Sequence, residues 1–219
     1  MKVIAFLLLC SLHVLAQPTI KEDGTQVLLD GKVLLDATKD GFMRVLEIHS
    51  APNGQNFLVL VCGFECFENK GFLFRANGTG KRMFPGRGSY ILQNKVEWSA
   101  DSKYVFYFRI NSTAADLPLD PPREEWKQIN VRTGANTVAT KRRLKPQATY
   151  AVIHLWSDVL NVRAAPHARA AIIGTIPSDG NGIRYTGETK RTGTVIWAKV
   201  KFRTLTGWVN QSYLSEELP

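Results

Sequence analysis

Residues 158–166 read D-V-L-N-V-R-A-A-P. The stretch alternates like a half-buried strand. Leu160, Val162 and Ala164 point one way, and Val159, Asn161 and Arg163 point the other. Pro166 stops it. An amide and a guanidinium on the outward face either grip a ligand or fasten a loop. An Asn beside a turn satisfies backbone groups of a neighbouring loop. An Arg lays its stem over a barrel and forks onto a loop carbonyl or a carboxylate, with Asp158 the nearest acid in sequence.

Further short strands follow, separated by Gly, Pro and Ser/Asp turns: I-I-G-T-I-P (172–177), G-I-R-Y-T-G (182–187), W-A-K-V-K-F (197–202) and T-G-W-V-N-Q-S-Y-L (206–214). Such spacing implies a small closed or near-closed barrel. Ile172, Ile173, Ile176, Ile183, Val195, Trp197, Val200, Val209 and Leu214 supply its expected core. Gly207 suggests a tight turn where a Cβ would clash. Gly187 and Gly193 bracket residues 188–192 as the expected tip of a hairpin.

The elements L-N-V-R-x-x-P, I-G-T-I-P, G-I-x-x-x-G, W-x-K-V and G-W-V-N-x-x-Y-L, in that order, resemble the bacterial SH3 domain, SH3b, in its periplasmic form, over residues 149–217. The resemblance implies an SH3-like β-barrel used as a binding module. It favours a structural role for Asn161 and Arg163, because that pair recurs with the fold in members that bind different things. It places ligand binding in a groove between loops lined by aromatics. The candidates are Trp156, Tyr185, Trp208 and Tyr213, with Arg163 as a further ligand contact.

The chain begins as an exported protein would. Lys2 precedes the apolar run Val3–Cys10, then Val14-Leu15-Ala16 and Gln17-Pro18, which reads as a signal peptide over 1–16 cleaved after Ala16. The run is too short to anchor in a bilayer. Cys10 invites a lipoprotein reading, but Leu9 stands where a small residue is wanted. The expected localisation is periplasmic, with secretion as the second reading and no transmembrane segment in the mature chain. Loss of Lys2 lowers the formal charge from +9 to about +8. Lys and Arg are spread along the chain, with one tight cluster at Lys141-Arg142-Arg143 and Lys145, so no nucleic-acid partner is expected. Cys62 and Cys66 remain after cleavage, and an oxidising compartment makes a disulfide their default, beside free thiols or a metal or redox role. A bridge requires a turn at Gly63-Phe64-Glu65, as in a three-residue hairpin loop, because an extended chain holds residues four apart too far from each other.

Residues 19–141 read as one all-β domain, 142–148 as a linker and 149–217 as the barrel. The N-terminal domain opens on a hairpin over Thr25–Asp36 with an Asp30-Gly31 turn. Its further expected strands are Arg44–His49, Phe57–Cys62, Gly71–Ala76, Lys95–Trp98, Tyr104–Ile110 and Trp126–Val131. A weak repeat runs through it. E-I-H-S-A-P-N-G-Q-N-F-L-V-L-V (47–61) with F-L-F-R-A-N-G-T-G (72–80) is one copy; V-E-W-S-A-D-S-K-Y-V-F-Y-F (96–108) with W-K-Q-I-N-V-R-T-G (126–134) is the other. The pattern resembles single β-propeller blades of exported bacterial proteins. Two copies, or three with the hairpin, cannot close a ring. The expected fold is therefore all-β: an N-terminal blade-like β-meander or sandwich plus a C-terminal SH3-like barrel.

No G-x-S-x-G, H-E-x-x-H or P-loop occurs. Asp116, Asp120, Glu124 and Glu125 fall in a proline-rich excursion, where acids seldom hold the fixed separation of a glycosidase pair. His49, His154 and His167 are scattered. No catalytic residue, metal ligand or cofactor is expected. The reading is a non-catalytic exported protein whose barrel engages a cell-envelope ligand, a peptidoglycan peptide or a protein partner. The alternative is a structural or assembly protein of the envelope with no wall ligand. N-G-T (77–79), N-S-T (111–113) and N-Q-S (210–212) are glycosylation sequons only in a eukaryotic pathway, and the SH3b resemblance argues for bacteria.

Overall fold

The computed structural model describes residues 17–63, 66, 69–86, 88–111, 125–153 and 158–217. The signal segment 1–16, Trp156, His154 and the acids Asp116, Asp120 and Glu124 lie outside the described residues. Among the described residues there is no α-helix, and the fold is all-β. No helix there is long and apolar enough to cross a membrane. The chain divides into two compact units, 1–90 and 91–219.

The first unit opens with a three-stranded sheet of β1 (Thr19–Ile20), β2 (Gln26–Leu29) and β3 (Lys32–Asp36). Asp30 and Gly31 turn the expected hairpin with φ of 51° and 71°, the left-handed pair a primed turn needs. β4 (Arg44–Ser50), β5 (Asn56–Cys62), β6 (Asn69–Arg75) and β7 (Arg82–Phe84) then run as an antiparallel meander. Val27, Leu35, Phe57, Val59, Val61, Phe72 and Phe74 form the core. Cys62 and Cys66 are bridged, with Cα atoms 4.5 Å apart. Cys62 pairs with Asn69 across the β5–β6 hairpin, and Phe64 and Glu65 of the expected turn lie outside the described residues.

In the second unit β8 (Ser89–Trp98, from Ile91 on), β9 (Tyr104–Asn111), β10 (Glu125–Asn130) and β11 (Asn136–Val138) form another meander. The repeat is visible in its hydrogen bonds. Ala51 N donates to Asn56 O and Gly54 N to Ala51 O; Ser99 N donates to Tyr104 O and Ser102 N to Ser99 O. Asn53 and Asp101 each accept from the backbone two residues on. Ala76 N reaches Gln55 O as Val131 N reaches Lys103 O.

The barrel follows: β12 (Thr149–Val152), β13 (Val159–Arg163), β14 (Ile172–Pro177), β15 (Ile183–Thr192), β16 (Val195–Phe202), β17 (Leu205–Asn210) and β18 (Leu214–Glu216). Their order is β14-β13-β17-β16-β15-β12-β18, a curled sheet consistent with an SH3-like barrel. Leu160, Val162, Ile176, Ile183, Val200, Val209 and Leu214 fill it. Several expectations need correction. Ile172 and Ile173 are 52% and 46% exposed, because the register slips between Val162 and Arg163 on an edge pair and turns them outward. Gly207 lies inside β17, opposite Val200, rather than at a turn. Its hydrogen is required all the same: a Cβ there would sit 2.6 Å from Val162 Cγ1 and 2.9 Å from Arg163 O. Residues 188–192 are strand. A register shift after Tyr185 lets β15 continue, and Gly193 and Thr194 make the hairpin tip between Thr192 and Val195.

The segment 142–148 carries two buried side chains. Leu144 joins the barrel core. Arg142 is 2% exposed; its Nε and Nη2 donate to Glu97 of β8 at 2.8 and 2.7 Å, and Nη2 also donates to Leu214 O at 2.9 Å. The guanidinium lies 3.8 Å from the Trp126 ring centroid. Ile153 packs with Phe106, Phe108 and Trp126. The β8–β11 meander and the barrel are thus fastened within one unit.

Candidate functional site: a groove on the barrel wall

β13 and β17 lie side by side, with Arg163 paired to Trp208. Cross-strand partners share a face. Because Leu160 and Val162 point into the core, Asn161 and Arg163 point out. Asp158, Val159, Leu160, Asn161, Arg163, Trp197, Asn210 and Tyr213 line a groove of about 240 Å³.

Its walls are positioned by short-range bonds. Arg163 Nη1 donates to Ala170 O at 2.8 Å, fastening the loop between β13 and β14. Asp158 Oδ1 accepts from Val159 N, its own neighbour. The question posed by Asn161 and Arg163 is answered unequally. Arg163 has a loop carbonyl and still lines the groove, whereas Asn161 is a lining residue. Asn210 Oδ1 accepts from Ser212 N at 3.0 Å and caps the 3-10 turn Gln211–Tyr213, which carries Tyr213 to the groove. N-Q-S is therefore a capping signal here. Trp197, read as core, is 5% exposed and forms groove wall opposite Asn210.

The other candidates separate. Trp208 is half-buried on the outer face between Arg163 and Lys199. Lys199 Nζ is 6.0 Å from its ring centroid and bonds Glu188 at 2.7 Å. Tyr185 pairs with Val200 and packs against the core, on the opposite face from Trp208. Trp156 lies outside the described residues. The structure thus brings Arg163 and Tyr213 together, sets Trp208 beside Arg163 and leaves Tyr185 apart. Asp158, Asn210 and Trp197 complete the groove without having been singled out as ligand contacts. Alternation along β13 and β17 marks the faces, but only the β16–β17 register brings Trp197 to Asn210.

Tyr150 is 1% exposed, and burial pushes its hydroxyl up to about 12, opposed by the Lys145 N–H bond it accepts. Elsewhere, His49 Nε2 contacts Glu47 Oε2 at 2.7 Å on β4, and the bridged Cys62 and Cys66 offer no thiolate. No group of His, Cys, Asp and Glu among the described residues has the geometry of a metal site.

Residues 158–215 match the family model of the bacterial SH3 domain. No curated protein matches the chain.

Proposed function

We propose that the chain is an exported, non-catalytic binding protein of the bacterial envelope, and that its barrel takes a peptidoglycan stem peptide in the groove of Asn161, Arg163, Trp197, Asn210 and Tyr213. The bacterial SH3 match makes a binding module the starting point, often a cell-wall one. The observation that carries the ligand reading is the groove itself. Aromatic walls flank two amides, a guanidinium and a carboxylate, a donor and acceptor set suited to a short polar peptide. Export rests on the signal-like segment 1–16, with the periplasm as destination and secretion as the second reading.

The test is co-sedimentation with purified peptidoglycan sacculi. The wild type pellets with sacculi; Asn161→Ala and Trp208→Ala, both at half-buried positions on the outer face of the barrel, reduce retention. A wild type that stays in the supernatant removes the wall ligand. The assembly reading, a protein partner without a wall ligand, is then favoured by exposed Val159, Ile172 and Ile173 on the β13–β14 edge.

A further inference from the structure

A second cleft lies within the 91–219 unit, where β10 and β11 meet the barrel. Trp126, Ala139, Arg142, Arg191, Ile196 and Gln211 are among the residues lining a cavity of about 280 Å³. It continues into a wider groove of about 470 Å³, since Thr140, Arg191 and Ile196 line both. The wider groove has three cations, Lys141, Arg143 and Arg191, and no acid. Arg143 is held in place by bonds from Nη1 to Thr140 O and Arg142 O. The acid of the narrower cavity, Glu125, is engaged by Arg109 and Lys127.

Two polar atoms of the lining residues have no partner. Trp126 is 5% exposed and its Nε1, a donor only, is unbonded; Gln211 is 4% exposed and its Oε1, an acceptor, is unbonded. Buried polar atoms are rarely left so, and each such atom calls for a reason. Gln211 is held on its other side by a long 3.4 Å contact from Nε2 to Arg142 O. Trp126 is fixed by Arg142 over its face and by Phe108 edge-on. The lining residues of one cavity thus offer one unpaired donor and one unpaired acceptor, the complement of an amide, whose carbonyl accepts from the indole and whose N–H donates to Gln211. Cations at the open end are the complement of a carboxylate.

We propose that this cleft is a second binding site, distinct from the barrel-wall groove, and that it takes the carboxy-terminal end of a peptide. The last peptide amide meets Trp126 and Gln211, and the free carboxylate meets Arg191 with Lys141 and Arg143 around it. The proposal does not depend on the wall ligand, because it shares no residue with that groove.

The test is a titration of the ¹⁵N-labelled full chain with acetyl-Ala-Ala bearing a free carboxylate, following the tryptophan indole N–H signals, with Trp126→Phe assigning the relevant one. The Trp126 signal moves saturably. The C-terminal amide of the same peptide binds about tenfold or more weakly, as does the free acid to Arg191→Ala, a change at an exposed strand position. Inorganic phosphate leaves the indole signal in place. If the Trp126 signal stays still at millimolar peptide, or if acid and amide bind alike, the proposal fails. A phosphate response equal to the peptide's reduces the cleft to a general anion site and also overturns it. Arg191→Ala serves independently should Trp126→Phe fail to fold.

Discussion

The two copies of the repeated meander solve one packing problem in opposite ways. Gly71 of β6 pairs with Leu60 of β5 and with Phe84 of β7. Trp126 of β10 occupies the matching place, paired with Phe108 of β9, and its carbonyl accepts from Ala139 N beyond β11. The first copy sets a large ring over a small residue. The second sets the large residue on the middle strand and a small one beside it. The first arrangement closes on itself: a Cβ on Gly71 would lie 2.6 Å from the Phe84 ring. The second presents an indole face, and Arg142 lies on it. At the position of His49 in the first copy the second has Glu97, which takes the same guanidinium. One hydrogen-bond scaffold thus packs around its own glycine in the first unit and becomes an anchor for the barrel in the second.

The largest effect should come from cutting that anchor. Arg142→Ala leaves Glu97 buried without its cation and should cost about 3–5 kcal/mol in urea unfolding. A loss below about 1 kcal/mol, the range of a surface pair, would erase the distinction between the copies. Next is the volume swap. Gly71→Ala should cost about 1–3 kcal/mol by overpacking against Phe84, and Phe84→Leu in the same chain should return part of it. Strict additivity of the two changes would show that the Gly71–Phe84 contact does not govern the site.

The turns sharpen the comparison more gently. Gly54 and Ser102 occupy equivalent places with φ of 67° and 58°. Gly54→Ala meets open space, so its expected cost of about 1 kcal/mol is the left-handed backbone alone. Unchanged stability would show that the first copy does not need that conformation.

Alkaline pH should separate the copies least but cleanly. Burial holds the Tyr107 hydroxyl above the ordinary phenol value of 10.0, partly offset by its bond with Asn136, while the first copy has Val59 at that place. With the folded value raised, the stabilisation is complete below pH 10 and is lost as pH rises through the folded value. Tyr107→Phe should flatten that part of the fall in stability above pH 10; an unchanged slope would refute it. Tyr150, raised to about 12, should give the barrel a similar loss between pH 10 and 12.

Much of this was legible in local sequence. Asp30-Gly31, the strand alternation and the repeated turns are signals spanning a few residues. The barrel was legible through five ordered elements. What escaped depends on contacts between distant residues. Arg142 sits in a basic run that reads as solvated linker, and its carboxylate lies 45 residues earlier. Ile172 and Ile173 read as core until a register slip on β13–β14 turns them out. Asn210 reads as a sequon residue, and its role emerges only with the 3-10 turn that delivers Tyr213. The aromatics suggested one platform, but strand parity sends Trp208 and Tyr185 to opposite faces.

The most direct test of the barrel-wall groove as the ligand site is to map backbone amide shifts of the ¹⁵N-labelled chain as a soluble peptidoglycan stem peptide is added. Saturable shifts should concentrate in Asp158–Arg163, Trp197 and Trp208–Tyr213 and diminish in Asn161→Ala. Shifts that gather elsewhere, or none at millimolar peptide, would contradict it.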